Sequence, residues 1–349
     1  MGSHSSFLPY IGCWASGLVL TALLCPLVHR LATRMGVIDH PDHRKVHREP
    51  IARWGGLAIY LSFFFTLGMA LWFSLGEAVS PVARFTGGII GAVSGSGDQL
   101  SSDLAARGNL VGIFLGGSLM LILGMLDDLL TLSAKIKLVG QIAIASMFVN
   151  YGISIGFLSH PSSGIVFLPD WFAGFLTVFW IVGLTNAINL LDGLDGLLAG
   201  VSGISAAFLC VVSIMKGQML VAIMLATLSG SALGFLRYNY NPARMFMGDT
   251  GSLFLGVMFA SLSIMGALKL STTVAFMIPV LIMGLPILDT SWAIIRRAAR
   301  RKPIFAADKE HLHHRLLGLG LSQKQVVAVI WMFNVMLGVV GVILAYSVH

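Results

Sequence analysis

Residues 171–188 read WFAGFLTVFWIVGLTNAI and run directly into Asn189-Leu190-Leu191-Asp192-Gly193-Leu194-Asp195-Gly196. The first part has no charged residue and approaches the roughly 20 apolar residues that a membrane helix needs. The second part places two carboxylates and two glycines at the end of that run. The glycines predict a turn that stops the span and exposes polar groups to a ligand. A helix cap would account for one Asp, but not for two Asp together with Asn186 and Asn189.

Composition extends this reading to the whole chain. The 349 residues are 56% hydrophobic and only 11% charged, with a mean hydropathy of +0.88. A water-soluble domain is usually about 25% charged, so a soluble globular class is excluded. Ten spans are predicted, near 7–28, 54–74, 109–126, 136–156, 171–188, 197–215, 218–236, 251–268, 271–291 and 325–347. Together they make one integral membrane domain over 1–349, all-α and polytopic, with residues 1–4 read as a tag remnant. Gly200, Gly203, Ala206 and Ala207 let helices approach closely in lipid. Cys13, Cys25 and Cys210 lie in apolar runs and are expected as buried hydrophobes without disulfides.

Ten spans divide the connections into two alternating sets. All but Arg84, Arg107, Lys216 and Lys269 of the 22 Lys and Arg fall in one set, at 28–53, 127–135, 189–196, 237–250 and 292–324, or at the helix end carrying Lys137. The positive-inside rule places that set in the cytoplasm and both termini outside. A basic collar facing the membrane also explains the net charge of +7 without nucleic acid. The Gly/Ser-rich segment 75–108 lies on the outer side, and its run from Phe85 to Val93 is too short to span.

Acids gather at the same face as bases. Of 15 Asp and Glu, only Glu77, Asp98, Asp103 and Asp170 lie outside. Orientation alone does not explain that, and ionisable groups at membrane depth are functional candidates. Asp127 and Asp128 end an apolar helix and point about 100° apart, so the two take different roles. Asp249 follows Gly248 at the start of the next apolar run. His311, His313 and His314 beside Arg315 raise zinc at first sight, but no Cys is near, and the adjacent cations favour phosphate. Asp39-His40-Pro41-Asp42-His43-Arg44-Lys45-Val46-His47 is a further polar loop. No P-loop, GxSxG or HExxH is present. Carboxylates beside cations and Asn, without a nucleophilic Ser or Cys, suit Mg²⁺-assisted phosphoryl transfer.

RKVH at 44–47, GMLDD at 124–128, NAINLLDGLDGL at 186–197, MFMGDTGSLFLG at 245–256 and HLHHRL at 311–316 come in an order that resembles the polyprenyl-phosphate N-acetylhexosamine-1-phosphate transferases. The likeness runs from about Gly36 to Ser322 and is nearest to the branch that starts teichoic-acid and O-antigen synthesis with UDP-N-acetylglucosamine. The branch using UDP-MurNAc-pentapeptide carries a HHHFE-type run where HLHHRL stands. The resemblance implies a multi-pass plasma-membrane enzyme with its active site facing the cytoplasm. There a polyprenyl phosphate attacks the β-phosphorus of a UDP-sugar and UMP leaves. It implies Mg²⁺, with Mn²⁺ as a substitute, held by Asn189 and Asp249. Asp127 and Asp128 are the proposed acid/base pair. Lys45, His47, Lys137, Asn186, Asp192, Asp195, His311, His313, His314 and Arg315 are expected to bind substrate. Homodimers occur in the family, although no segment here argues for one. A phosphate monoester has a second pKa near 6, so the lipid phosphate is mostly a dianion at neutral pH and a full general base is not required. One departure is Ala52 in Glu49-Pro50-Ile51-Ala52-Arg53-Trp54-Gly55-Gly56, where the family often has a second Pro; another is that the sequence ends at His349, where many relatives carry a further helix.

Two other readings stand beside this one. The same chemistry could use UDP-MurNAc-pentapeptide or another UDP-HexNAc. A transporter could use broken helices, but it would place polar groups near the midplane, and the apolar runs are nearly free of them.

Overall fold

A computed structural model describes residues 7–41, 49–76, 99–160, 164–267, 273–300 and 312–347. In chain order the elements are α1 (Leu8–Arg34), β1 (Ile38–Asp39), β2 (Ile51–Ala52), α2 (Gly55–Gly76), α3 (Gln99–Leu130), α4 (Ala134–Asn150), β3 (Phe157–His160), β4 (Gly164–Phe167), α5 (Asp170–Leu191), α6 (Leu197–Met215), α7 (Met219–Asn239), α8 (Gly248–Ala267), α9 (Thr273–Ile282), α10 (Gly284–Ala299), α11 (Leu312–Gly318) and α12 (Gln323–Ser347). Among the described residues, eight helices are long and apolar enough to cross a membrane. The protein is an all-α polytopic membrane protein.

The other two expected spans take different forms. The run at 136–156 yields a helix of 17 residues, α4, started by Ser133, whose hydroxyl accepts from the Ile136 N–H. The run at 271–291 is broken at Met283 into α9 and α10. Both segment boundaries drawn from polarity also move. Helix α3 begins at Gln99, inside the expected 75–108 loop, and the expected 292–324 loop contains the end of α10, all of α11 and the start of α12. Helical turns continue through these polar stretches because backbone hydrogen bonding does not need apolar side chains.

Helix α8 is the centre of the bundle. Its spanning window is 89% buried, against 22% for α1, which faces outward. It packs on α3 and α5, while α7 packs on α1 and α6, and α12 on α6 and α9. Small residues make these contacts close. A Cβ on Gly230 or Gly234 would strike the α1 backbone at Trp14 or Leu18, and one on Gly256 would sit 2.6 Å from the Thr185 Cα. Between membrane helices this intimacy replaces the hydrophobic drive that lipid cannot supply.

Two small antiparallel pairs decorate the bundle, β1–β2 and β3–β4. Ala52, the departure from the family pattern, sits in β2, and its carbonyl accepts the Phe246 N–H at 2.9 Å. Gly55 and Gly56 then donate to the Phe246 and Met247 carbonyls. This stitching ties the loop before α2 to the segment that leads into α8.

Candidate active site

The carboxyl ends of α3 and α5 meet the amino ends of α4, α8 and α12 around a cavity of about 550 Å³. Asp127, Asp128, Lys137, Asn189, Asp192, Asp195, Asp249 and His314, all expected from the sequence, line it. Each arrives by a local device. Thr131 adopts a left-handed φ of 52° in the short turn after α3, and Asp127 Oδ1 accepts the Leu132 N–H there at 2.8 Å. The turn folds Lys137, one turn into α4, back over Asp127.

Lys137 joins two acids. Its Nζ is paired with Asp127 and donates to Asp249 Oδ2 at 2.6 Å. Asp128 points elsewhere. Its oxygens accept the Asp249 and Thr250 N–H groups, each at 3.1 Å, and the Thr250 hydroxyl at 2.7 Å. It therefore caps α8 from a neighbouring helix, where an anion also meets the favourable end of the helix dipole. Gly248 makes room for it: its φ is +72°, and a Cβ there would collide with the Asp128 carboxylate. Gly124, one turn before Asp128, lets α3 touch the Asp249 backbone in the same way.

Helix α5 carries Asn189 as a helical residue, just beyond the expected span end. Its amide donates to Asp249 Oδ1 at 2.8 Å and to Ser252 Oγ at 2.7 Å. Asp192 follows as the C-cap residue, and Gly196, with φ 79°, precedes α6. Neither Asp of this turn caps α6. Asp195 Oδ2 accepts the Asn241 amide at 2.9 Å and the Ala243 N–H at 3.0 Å. The Asp192 carboxylate accepts no hydrogen bond among the described residues. Its burial, and then the charges of Asp249, Asp128 and Asp195, push its pKa up to about 8, with Arg53 opposing.

The remaining expected residues fall outside this cavity. Asn186 bonds the Gln141 side chain and the Val182 carbonyl, one turn deeper in the bundle. His313 is buried against Gly193, where an added Cβ would lie 2.5 Å from its Nε2. Arg315 lines a second cavity of about 210 Å³ with Asp289 and Trp292. Lys45, His47 and His311 lie outside the described residues. Two charged lining residues, Asp39 and Arg53, are not among the expected site set. Arg53 pairs with Asp39 and stands 3.7 Å from Asp128. The available signal was a lone cation directly before Trp54-Gly55-Gly56, at a point where the backbone comes close to α8. Phe246, Asn239 and Gln323 also line the cavity.

The donor set suits a small hard cation. Asn189 has its amide nitrogen engaged and its carbonyl oxygen free of any hydrogen bond among the described residues, beside Asp249 and the unpartnered Asp192. Among the described residues no three His, Cys, Asp or Glu converge as metal ligands. Mg²⁺ does not need that: it takes one or two carboxylates together with water and substrate phosphates.

The sequence is similar to those of known proteins. Residues 110–267 match glycosyl transferase family 4. Over 327 residues, 94% of this chain and 82% of the relative, the sequence is 39% identical to the probable undecaprenyl-phosphate N-acetylglucosaminyl 1-phosphate transferase of Bacillus subtilis. The chain belongs to the polyprenyl-phosphate N-acetylhexosamine-1-phosphate transferase family. The transferase is also 33% identical to the decaprenyl-phosphate N-acetylglucosaminephosphotransferase of Mycobacterium leprae, over 90% of this chain and 78% of the relative. It is 31% identical to a phospho-N-acetylmuramoyl-pentapeptide-transferase of Bacillus cytotoxicus, over 93% and 92%. The match to family 4 covers α3 to α8, the elements that supply Asp127, Lys137, Asn189, Asp192 and Asp249.

Proposed function

We propose that this transferase moves N-acetylglucosamine 1-phosphate from UDP-GlcNAc to a polyprenyl phosphate at the cytoplasmic face of the bacterial plasma membrane. The products are polyprenyl-diphospho-GlcNAc and UMP. The observation that carries the reading is Lys137 held between Asp127 and Asp249, beside Asn189 and Asp192, in a cavity at one end of a membrane bundle. A lipid phosphate at the bilayer surface and a water-borne nucleotide can both reach such a site. The basic bias of the loops on that side supports a cytoplasmic placement.

The work divides among named residues. Asn189, Asp249 and Asp192 would hold Mg²⁺, which when bound supplies charge neutralisation to the diphosphate. Lys137 offers an ammonium to the phosphate oxygens and fixes the Asp127 and Asp249 carboxylates relative to each other. The attacking oxygen belongs to a lipid phosphate that is mostly dianionic at neutral pH. It forms the new bond to the β-phosphorus while the bond to the UMP oxygen breaks. Asp127, and not the helix-capping Asp128, is the acid of the pair left facing the reactants.

The test uses the full chain in liposomes with undecaprenyl phosphate. UMP release is expected with UDP-GlcNAc and Mg²⁺ or Mn²⁺, is expected to stop on chelation, and to return on adding Mg²⁺. Faster turnover with UDP-MurNAc-pentapeptide would reject the sugar choice, and turnover unchanged by chelation would reject the metal.

A further inference from the structure

Helix α10 lines the second cavity with Asp289 and Trp292, and its placement depends on the break at Met283. In a continuous helix the Ile282 carbonyl would accept the N–H of the residue four positions on. That residue is Pro286, which has none. Ile282 is fully buried, and a carbonyl without a donor is costly at membrane depth. Its donor comes from another helix: the Ser205 hydroxyl, in the middle of α6, lies 3.4 Å from the Ile282 oxygen.

Ser205 is itself held. The Asn334 amide of α12 donates to Ser205 Oγ at 3.0 Å and to the Val201 carbonyl at 3.3 Å. The serine proton then faces two acceptors at 3.4 Å, Asn334 Oδ1 and the Ile282 oxygen, and only at the second does it relieve an orphaned carbonyl. Ser205 and Asn334 are both fully buried. Backbone packing locks the same point, since a Cβ on Gly341 of α12 would lie 2.7 Å from the Ile282 side chain.

The break in turn fixes α10 and α11. Asp289, in α10, accepts the Leu312 N–H at 2.9 Å, at the first residue of α11. Helix α11 packs His313 on Gly193 and brings His314 to the catalytic cavity. We propose that Ser205 and Asn334 form a positioning pair: they satisfy the carbonyl that Pro286 orphans, hold the α9–α10 break in one geometry, and thereby set His314 at the cavity from within the membrane. Neither residue touches substrate. The kinetic arm of the test rests on the proposed transfer reaction, and the distance arm does not.

The experiment compares Ser205→Ala, Asn334→Leu and the hydroxyl-keeping Ser205→Thr in the full chain in liposomes. Spin labels on cysteines placed at the exposed positions Leu130 and Leu319, in a background with Cys13, Cys25 and Cys210 replaced, report the distance from α3 to the end of α11. The parent and Ser205→Thr are expected to give one narrow distribution, and the other two a broadened or shifted one. For Ser205→Ala, the KM for UDP-GlcNAc is expected to rise about tenfold with kcat within about twofold, because a misplaced His314 weakens binding before it affects bond making. An unchanged narrow distribution in Ser205→Ala overturns the proposal, as does a wild-type KM in both Ser205→Ala and Asn334→Leu. If the parent releases no UMP, the functional reading fails, while the distance measurement still decides the positioning role.

Discussion

The Asp127 carboxylate answers to a side chain, Lys137, whereas the Asp128 carboxylate answers to the backbone of α8. Adjacent residues on a helix point about 100° apart, so one step along α3 takes the acid from the cavity wall to a buried helix end. The two substitutions should therefore fail differently. Asp127→Ala is expected to lower UMP release by about 100-fold or more, the scale of a lost acid–base or charge-positioning group, with a smaller fall in melting temperature than Asp128→Ala, because the Leu132 N–H and the Lys137 ammonium lose an acceptor. Asp128→Ala leaves three α8 donors without their acceptor. Loss of a cap costs about 1 kcal/mol, and the buried, charge-assisted bonds add to it, so the melting temperature should fall along with activity. Thermal unfolding and UMP release measured on both variants check this, and equal melting temperatures would remove the capping role. At this scale the chain was legible as a set of residue types at one face. The division between the two Asp was not, because it depends on where the amino end of α8 lies, and no spacing in the sequence gives that.

At the scale of the helix, the approach of α3 to α8 rests on two glycines. Gly248 takes a left-handed φ that a side chain resists, by roughly 1–2 kcal/mol, and a Cβ there would also displace the Asp128 carboxylate. Gly248→Ala is expected to lower the melting temperature and to reduce UMP release; native values for both would mean that α3 and α8 do not meet this closely. The glycines of MFMGDTGSLFLG bring α8 close to its neighbours: a Cβ on Gly248 would meet the Asp128 carboxylate of α3, and one on Gly251 would lie 2.7 Å from the Gly56 Cα of α2. Polarity marked the end of α5, where Asp192-Gly193-Leu194-Asp195-Gly196 forms the expected turn, but not the start of α3 or the end of α10, where helix continues into polar sequence. The break at Met283 was not read, because the run 271–291 is apolar nearly throughout, although Pro279 and Pro286 were the available signal. The spans also hold more polar groups than their composition suggests. Ser205 and Asn334 are mid-span, yet they bond each other and the backbone within the bundle instead of facing a passage.

For the whole molecule, helices of alternating direction gather the ends of α3, α4, α5, α8 and α12 at one face, and most of the charge goes with them. The fold class was legible because lipid imposes it: among open structures, helices alone can satisfy every backbone group within a segment. The direction of the bundle across the membrane rests on Lys and Arg, which favour the cytoplasmic side of short loops. Ser133, in the turn between α3 and α4, belongs to the catalytic end through its neighbours Thr131, Leu132 and Lys137. A cysteine at that position, in a chain stripped of its other three, should react with a membrane-impermeant maleimide only after the cell membrane is permeabilised. A cysteine at Gly217, in the turn between α6 and α7 that carries Lys216 of the sparse basic set, should react in intact cells. The pair is needed because each control excludes a different error: a reactive Gly217 position shows that the reagent reaches the protein, and an unreactive Ser133 position then reports sidedness, not burial, once permeabilisation restores its reaction. The reverse pattern would put the cavity outside the cell, where neither nucleotide sugars nor their UMP product are kept at useful concentration, and the proposed donor would fall with the topology.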